Sequence, residues 1–289
     1  MSFNFFARGF FPGTVCNRAL RCISILILIT ASVGANAQTF LPGQGAVSAG
    51  AGGAYVNLAN PESIFGNQAG MGWLKNSSVG IFGKEKFFMN ELRTSGGYGI
   101  LHTKSGNLGV SVSHFGWAAF SQDKMGLAYA RNYAGKFSVG LQLDYLTTRA
   151  ENYSSLSQFT FEAGMQAKLS SRFQVGAHVF NPPAVKYGTA DGERIPAVFA
   201  LGIAWIPSKQ LSVDVDAVKD FDQPTDLRFG FEYQPAKQIF IRAGCSTAPF
   251  EFHFGLGFNF GHIRLNIATE MHQTLGTTPS VGLNYGFGK

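Results

Sequence analysis

Charge and cysteine are what this chain has least of. Only 14% of its 289 residues are charged, against about a quarter in soluble domains, so an ordinary solvated surface is not expected. Of the three cysteines, Cys16 and Cys22 fall in a leader-like N-terminus and leave Cys245 alone. That excludes a disulfide framework and a thiolate metal cluster. The histidines, His102, His114, His178, His253, His262 and His272, show no HExxH or similar ligand spacing, so neither metal nor cofactor is expected. There is no GxSxG run, and Ser113 and His114, being adjacent, point to opposite faces of a strand. No nucleophile therefore has a base within reach, and an enzyme is not expected. Membrane-helix length is missing too: the apolar run from Ile23 to Val33 is about eleven residues, where a spanning helix needs about twenty.

The formal charge of +6 is also less basic than it looks. Arg8, Arg18 and Arg21 sit in the leader, and without them 20 basic residues face 17 acidic ones. No basic run with interleaved aromatics remains, which argues against nucleic acid as a partner. Residues 1–37 read as a secretory signal: a cationic stretch ending at Arg21, the short apolar core, and the small-residue site Ala35-Asn36-Ala37 before Gln38.

What the chain has in abundance is glycine, phenylalanine and alternation. From Phe250, the residues Phe252, Phe254, Leu256, Phe258 and Phe260 share one face, while Glu251, His253, Gly255, Gly257 and Asn259 share the other. After a turn at Gly261-His262 the pattern resumes with Ile263, Leu265 and Ile267 against Arg264, Asn266 and Ala268. This is a hairpin of about ten-residue strands, longer than the usual five or six and long enough to cross a bilayer with tilt. Such segments recur about fourteen times from Ser77 to the C-terminus. Tight turns, such as Lys104-Ser105-Gly106, Ala134-Gly135-Lys136 and Ser170-Ser171, alternate with longer links near 86–92, 116–121, 148–156, 181–194, 220–225, 246–249 and 271–278. Short turns on one side and longer loops on the other, an even strand count and an export signal together predict an all-β fold: a transmembrane antiparallel β-barrel of about 14 strands in the cell outer membrane, in contact with its lipid.

The alternation also sorts the side chains. Asp144, Asp214, Asp216, Arg228, Glu232, Arg242, Glu251, His253 and Arg264 fall on the polar face and are expected to line the lumen. Asp214 and Asp216, two residues apart, share a face about 7 Å apart; they read as lumen polarity and not as a catalytic or cation-binding pair. Phe87, Phe88, Phe115, Trp117, Phe120, Tyr129, Tyr133, Tyr145, Phe180, Trp205 and Phe221 cluster near strand ends and read in part as an interfacial girdle. Leu141→Arg is expected to cost about 2–4 kcal/mol at the bilayer midplane and Gln142→Arg to be nearly silent.

A barrel this wide cannot fill its interior with its own side chains. Residues 38–76, glycine-punctuated and without alternation, are the available plug, leaving 77–289 for the barrel. Within them, Gly45-Ala46-Val47-Ser48-Ala49-Gly50-Ala51-Gly52-Gly53-Ala54-Tyr55-Val56, Asn60-Pro61-Glu62-Ser63-Ile64-Phe65 and Asn67-Gln68-Ala69-Gly70-Met71 resemble the opening of the PorV/PorQ and FadL-like outer-membrane barrels. In those families a glycine-rich stretch and an "NPAG" turn form a hatch in or beneath the barrel, which implies hatch roles for Gly50, Gly52, Gly53, Asn67, Ala69 and Gly70. Gln68 stands where those families usually have proline. The resemblance implies two functions. The first is an accessory of type IX-like protein secretion or surface attachment, with secretion components or cargo as partners. The second, ranked below it because the external loops look too short for a capture groove, is a FadL-like channel for hydrophobic small molecules.

Overall fold

The computed structural model describes residues 42–187 and 194–288; the expected signal, 1–37, lies outside the described residues. Fourteen strands follow one another: β1 (Ser77–Glu85), β2 (Arg93–Thr103), β3 (Gly106–Trp117), β4 (Phe120–Tyr133), β5 (Phe137–Ala150), β6 (Leu156–Lys168), β7 (Phe173–Phe180), β8 (Val198–Ser208), β9 (Leu211–Asp220), β10 (Asp226–Ala236), β11 (Ile239–Thr247), β12 (Phe250–Phe260), β13 (Ile263–His272) and β14 (Gly276–Phe287). Each pairs antiparallel with its sequence neighbours, and β14 returns to β1, with Ser77 opposite Phe287 and Lys84 opposite Ser280. The ring closes, so no strand edge is left to satisfy, as hydrocarbon requires. Among the described residues no helix is long and apolar enough to cross a membrane.

The faces follow the alternation. Along β5, Leu141 and Leu143 are 60% and 54% exposed, while Gln142 and Asp144 are 2% and 0% exposed. Large apolar residues are outside and polar ones inside, the inverse of a soluble sandwich and the arrangement of a barrel immersed in lipid. Aromatic pairs collar the exterior near both ends, among them Tyr133 stacked on Phe137 (5.0 Å) and Tyr145 against Phe159 (4.9 Å). Phe115 and Phe180 depart from the expected girdle: both are buried, because β3 and β7 turn those positions inward.

The links differ more. At the end carrying the start of β1 and the finish of β14, the turn end, the connections are as tight as the sequence suggests. At the opposite, loop end, the expected links at 116–121, 148–156, 246–249 and 271–278 shrink to 118–119, 151–155, 248–249 and 273–275, because strand pairing continues further outward. Only 86–92 and 181–197 remain long. The first forms two short 3-10 turns, Lys86–Phe88 and Asn90–Leu92. The described part of the second folds inward: Asn181 donates to the Ile195 carbonyl (2.9 Å) and accepts from Thr160 Oγ1 (2.7 Å), and Tyr187 and Ile195 are buried.

Candidate functional site

The lumen is occupied by residues 42–74. A five-residue helix, α1 (Ala46–Gly50), has no cap from its own neighbours; instead Glu62 Oε2 accepts the Val47 amide at 2.8 Å. Two 3-10 turns follow, Pro61–Phe65 and Gln68–Trp73. Asn60 starts the first, accepting from the Glu62 amide (2.9 Å) ahead of Pro61, whose missing N–H costs nothing at that position. Asn67 starts the second by accepting from the Ala69 amide (3.1 Å). A chain without long regular elements thus satisfies its backbone locally, and spends the remaining polar groups on the barrel wall.

Those wall bonds run around the lumen. Asp216 Oδ2 accepts the amides of Tyr55 (2.7 Å) and Val56 (2.9 Å). Asn67 Nδ2 donates to the Val56 carbonyl (2.8 Å) and to the Met165 and Ala177 carbonyls (3.2 Å each). Ser138 Oγ donates to the Ala69 carbonyl (2.6 Å), and Asn107 Nδ2 to the Met71 carbonyl (2.5 Å). Arg228 donates to the Gly53 carbonyl (3.0 Å) and His253 Nδ1 to the Ala49 carbonyl (2.8 Å); because a carbonyl only accepts, that ring nitrogen carries the proton. The Glu62 carboxyl also receives Asn266 (3.3 Å) and Asn284 (3.4 Å), and its burial raises it above the usual carboxylate range.

Close approach explains the glycines. A Cβ on Gly52, at φ +67°, would lie 2.1 Å from the Phe229 carbonyl oxygen, and one on Gly70 would lie 2.1 Å from that of Leu58. A Cβ on Gly50 would lie 2.9 Å from the Cα of Gly255 of β12. Gly50, Gly52, Gly53, Asn67, Ala69 and Gly70 therefore all lie at the contact between the segment and the wall or at its internal turns.

The nine expected lumen residues divide. Asp216, Arg228 and His253 bond the plug directly. Arg242 serves it at one remove, donating to Glu232 (2.6 Å) and to Asn266 (3.1 Å), which holds Glu62. Arg264 lies over the Phe240 ring (4.8 Å), Glu251 stands 3.9 Å from His253, and Asp214 accepts from Ser212 Oγ (3.4 Å). Asp214 and Asp216 thus have separate partners despite their common face.

Asp144 belongs to a cluster that the strand pattern does not reveal. Lys124 pairs with Glu162 and lies 3.7 Å from Asp144. Gln142 Nε2 donates to Asp144 (2.8 Å), His178 Nε2 lies 2.8 Å from Glu162, and Gln68 Nε2 donates to Glu162 (2.8 Å). Every member is buried. Gln68, at the position the sequence marks as a departure from proline, ties the plug to this cluster. A signal existed in polar residues at mid-strand on β4, β5, β6 and β7, but partnership needed the register, which puts Gln142 opposite Glu162. Beside it an apolar cluster joins the plug residues Tyr55 and Val56 to Leu146, Phe180 and Val198 of the wall and to Tyr187 and Ile195 of the 181–197 link.

A closed fourteen-stranded barrel, apolar outside and plugged by its own N-terminal segment, has the fold of an outer-membrane β-barrel of FadL type. No protein-family model and no curated relative matches the sequence. Solved structures with this fold include the toluene transporter TodX of Pseudomonas putida (TM-score 0.68, 13% identity, 86% of this chain and 100% of that one). The Ralstonia pickettii toluene transporter TbuX gives a TM-score of 0.65 at 12% identity, covering 86% of this chain and 99% of that one. A Pseudomonas aeruginosa FadL homologue gives 0.60 at 13% identity, covering 87% and 100%.

Proposed function

We propose that this protein is a non-enzymatic outer-membrane channel for hydrophobic small molecules, delivered by an export signal at residues 1–37 and gated by movement of residues 42–74. The observation that carries the reading is the apolar cluster of Tyr55, Val56, Leu146, Phe180, Tyr187, Ile195 and Val198. It is built jointly by plug, wall and inward-folded link, whereas the second apolar cluster joins Ile64, Phe65 and Met71 of the plug to Phe82, Tyr98 and Ile100 of the wall without the link. Displacing any one of the three parts exposes an apolar site with polar groups beside it, the usual composition of a small-molecule pocket. The fold shared with proteins described as toluene transporters supports the same reading. Fold is a weaker warrant than site, and the cluster is the stronger of the two supports. The channel reading takes precedence over the secretion-accessory reading, whose support is the opening motif, the strand count, the lack of catalytic residues and the shortness of most external loops.

Uptake tests it. Cells lacking their own hydrocarbon and fatty-acid channels, and expressing this protein, should take up labelled toluene or a long-chain fatty acid faster than cells carrying the empty vector. Rates equal to the vector control for both, with the barrel present and folded, would reject the channel. Secretion components recovered with the protein in that case would restore the secretion role.

A further inference from the structure

The two ends of the barrel differ in charge. Five of the turn-end hairpins each place one cation at or beside the tip: Lys104 between β2 and β3, Lys136 between β4 and β5, Arg172 between β6 and β7, Lys209 between β8 and β9, and Lys237 between β10 and β11. All five are exposed, and none makes an ion pair among the described residues. Arg131, exposed on the outward face of β4, adds a sixth, its guanidinium 5.3 Å from the Tyr133 ring. Among the described residues the turns of this end carry no Asp or Glu; the nearby carboxylate Glu232, on the inward face of β10 beside Lys209, is paired with Arg242. The loop end is mixed: Glu85, Glu91, Asp123, Glu151, Asp222 and Glu251 are there, and of its cations Lys84, Arg93 and Arg149 are paired with carboxylates, while Lys86, Arg194 and Lys219 stand among them.

Depth gives the cations their meaning. Tyr129, Tyr133, Phe137, Phe173, Trp205 and Tyr285 form the exposed aromatic collar at this end, and aromatic collars sit at the level where hydrocarbon gives way to headgroups. The turn cations stand only a few residues beyond it, within about 10 Å at the rise of a strand. Long basic side chains there reach the phosphate layer while their stems lie along apolar surface.

We infer that the turn end is a binding surface for anionic phospholipid headgroups, an arc of Lys104, Arg131, Lys136, Arg172, Lys209 and Lys237 that gathers phosphatidylglycerol-type lipid in the leaflet on that side. The charge is complementary and the surface is continuous with the lipid-facing wall, which a soluble acidic protein approaching along the barrel axis would not need. Gathered lipid fixes the depth and tilt of the barrel and screens a ring of like charge set in turns that carry no carboxylate among the described residues. The inference holds whatever molecule the lumen carries.

Native mass spectrometry of the full chain, released from nanodiscs of mixed zwitterionic lipid and phosphatidylglycerol, tests it. The wild type should retain phosphatidylglycerol in preference, by at least about fivefold, the effect of one basic residue at a charged leaflet, and the preference should shrink as salt is raised. The variant K104Q/K136Q/R172Q/K209Q/K237Q should lose it. A loop-end variant, R93Q/R149Q/K219Q, should keep it. Heat-modifiable migration on gels verifies that both variants are folded. Equal retention of the two lipids by the folded wild type, or equal loss in both variants, overturns the assignment. So does a flat lipid preference combined with ring-dependent binding of soluble polyglutamate, which would assign the surface to an acidic protein.

Discussion

Gly50 and Gly255 approach each other so closely that a Cβ built on either would lie 2.9 Å from the Cα of the other. One belongs to α1 in the lumen, the other to the inward face of β12, and neither has a side chain to withdraw. Gly255→Val should therefore unseat α1 while the barrel, held by its strand ladders, still closes. The expected result is normal heat-modifiable migration, with residues 42–74 newly open to protease and a raised conductance in planar bilayers. Protease resistance and conductance like the wild type would show that α1 is not seated on β12.

The plug's second anchor is a single carboxylate. Asp216→Ala leaves the Tyr55 and Val56 amides buried without an acceptor, at about 1–3 kcal/mol for each unsatisfied group. Asp216→Asn keeps one acceptor oxygen and should lose less. Limited proteolysis of residues 42–74, ordered wild type, Asn, Ala from most to least resistant, checks this; an Ala variant as resistant as the wild type would contradict it.

Lys124 stands between two buried carboxylates inside the lumen. Removing one partner of a buried pair costs about 3–5 kcal/mol, since the other charges stay behind. Lys124→Met should lower the free energy of urea unfolding from lipid by an amount of that order, and the double variant Lys124→Met/Glu162→Gln should recover part of the loss. Additive losses in the double variant would mean that the pair is not coupled.

Much of this was legible in the sequence, and the boundary is physical. Alternation reports the solvent on each side of a strand, and lipid outside with a polar lumen inside writes that contrast into every hairpin. Hence the fourteen strands and the lumen positions of Asp216, Arg228 and His253 follow from the letters alone. Partnership does not, because Lys124, Asp144 and Glu162 lie on three strands and meet only through register. Phe180 was misplaced for a related reason: the 181–197 link folds inward and gives an aromatic at that strand end an apolar place inside. The turn-end cations Lys104, Lys136, Arg172, Lys209 and Lys237 are scattered along the sequence, and their common side appears only when the barrel closes.

Glu62 sets a dependence on pH. Burial raises its carboxyl above the ordinary value of 4.5 in the folded protein. The folded state then keeps a proton that the unfolded chain releases between those two values. Stability from this group is full below the ordinary value and is lost as pH rises through the folded-state value. Glu62→Gln, neutral at all pH, should remove that contribution, so the wild type should lose more stability than the variant between about pH 4 and about pH 8. Parallel urea midpoints for the two proteins across that range would refute the assignment.

The two faces of β5 give the test that separates lipid from lumen. Leu141 is 60% exposed and points outward, so Leu141→Arg should cost about 2–4 kcal/mol near the midplane. Gln142→Arg, expected from alternation to be nearly silent, is not a neutral control: Gln142 is buried, and its amide donates to Asp144 (2.8 Å) and Glu162 (3.3 Å). A larger side chain there overpacks the cluster, and about 1–3 kcal/mol is the expected loss. Gln234, inward-facing but half-exposed near the turn end of β10, has room beside Glu232. Gln234→Arg should therefore stay within about 0.5 kcal/mol of the wild type. Unfolding from lipid vesicles should rank Leu141→Arg and Gln142→Arg well below Gln234→Arg. A tolerated Leu141→Arg would mean that the outward face does not meet hydrocarbon.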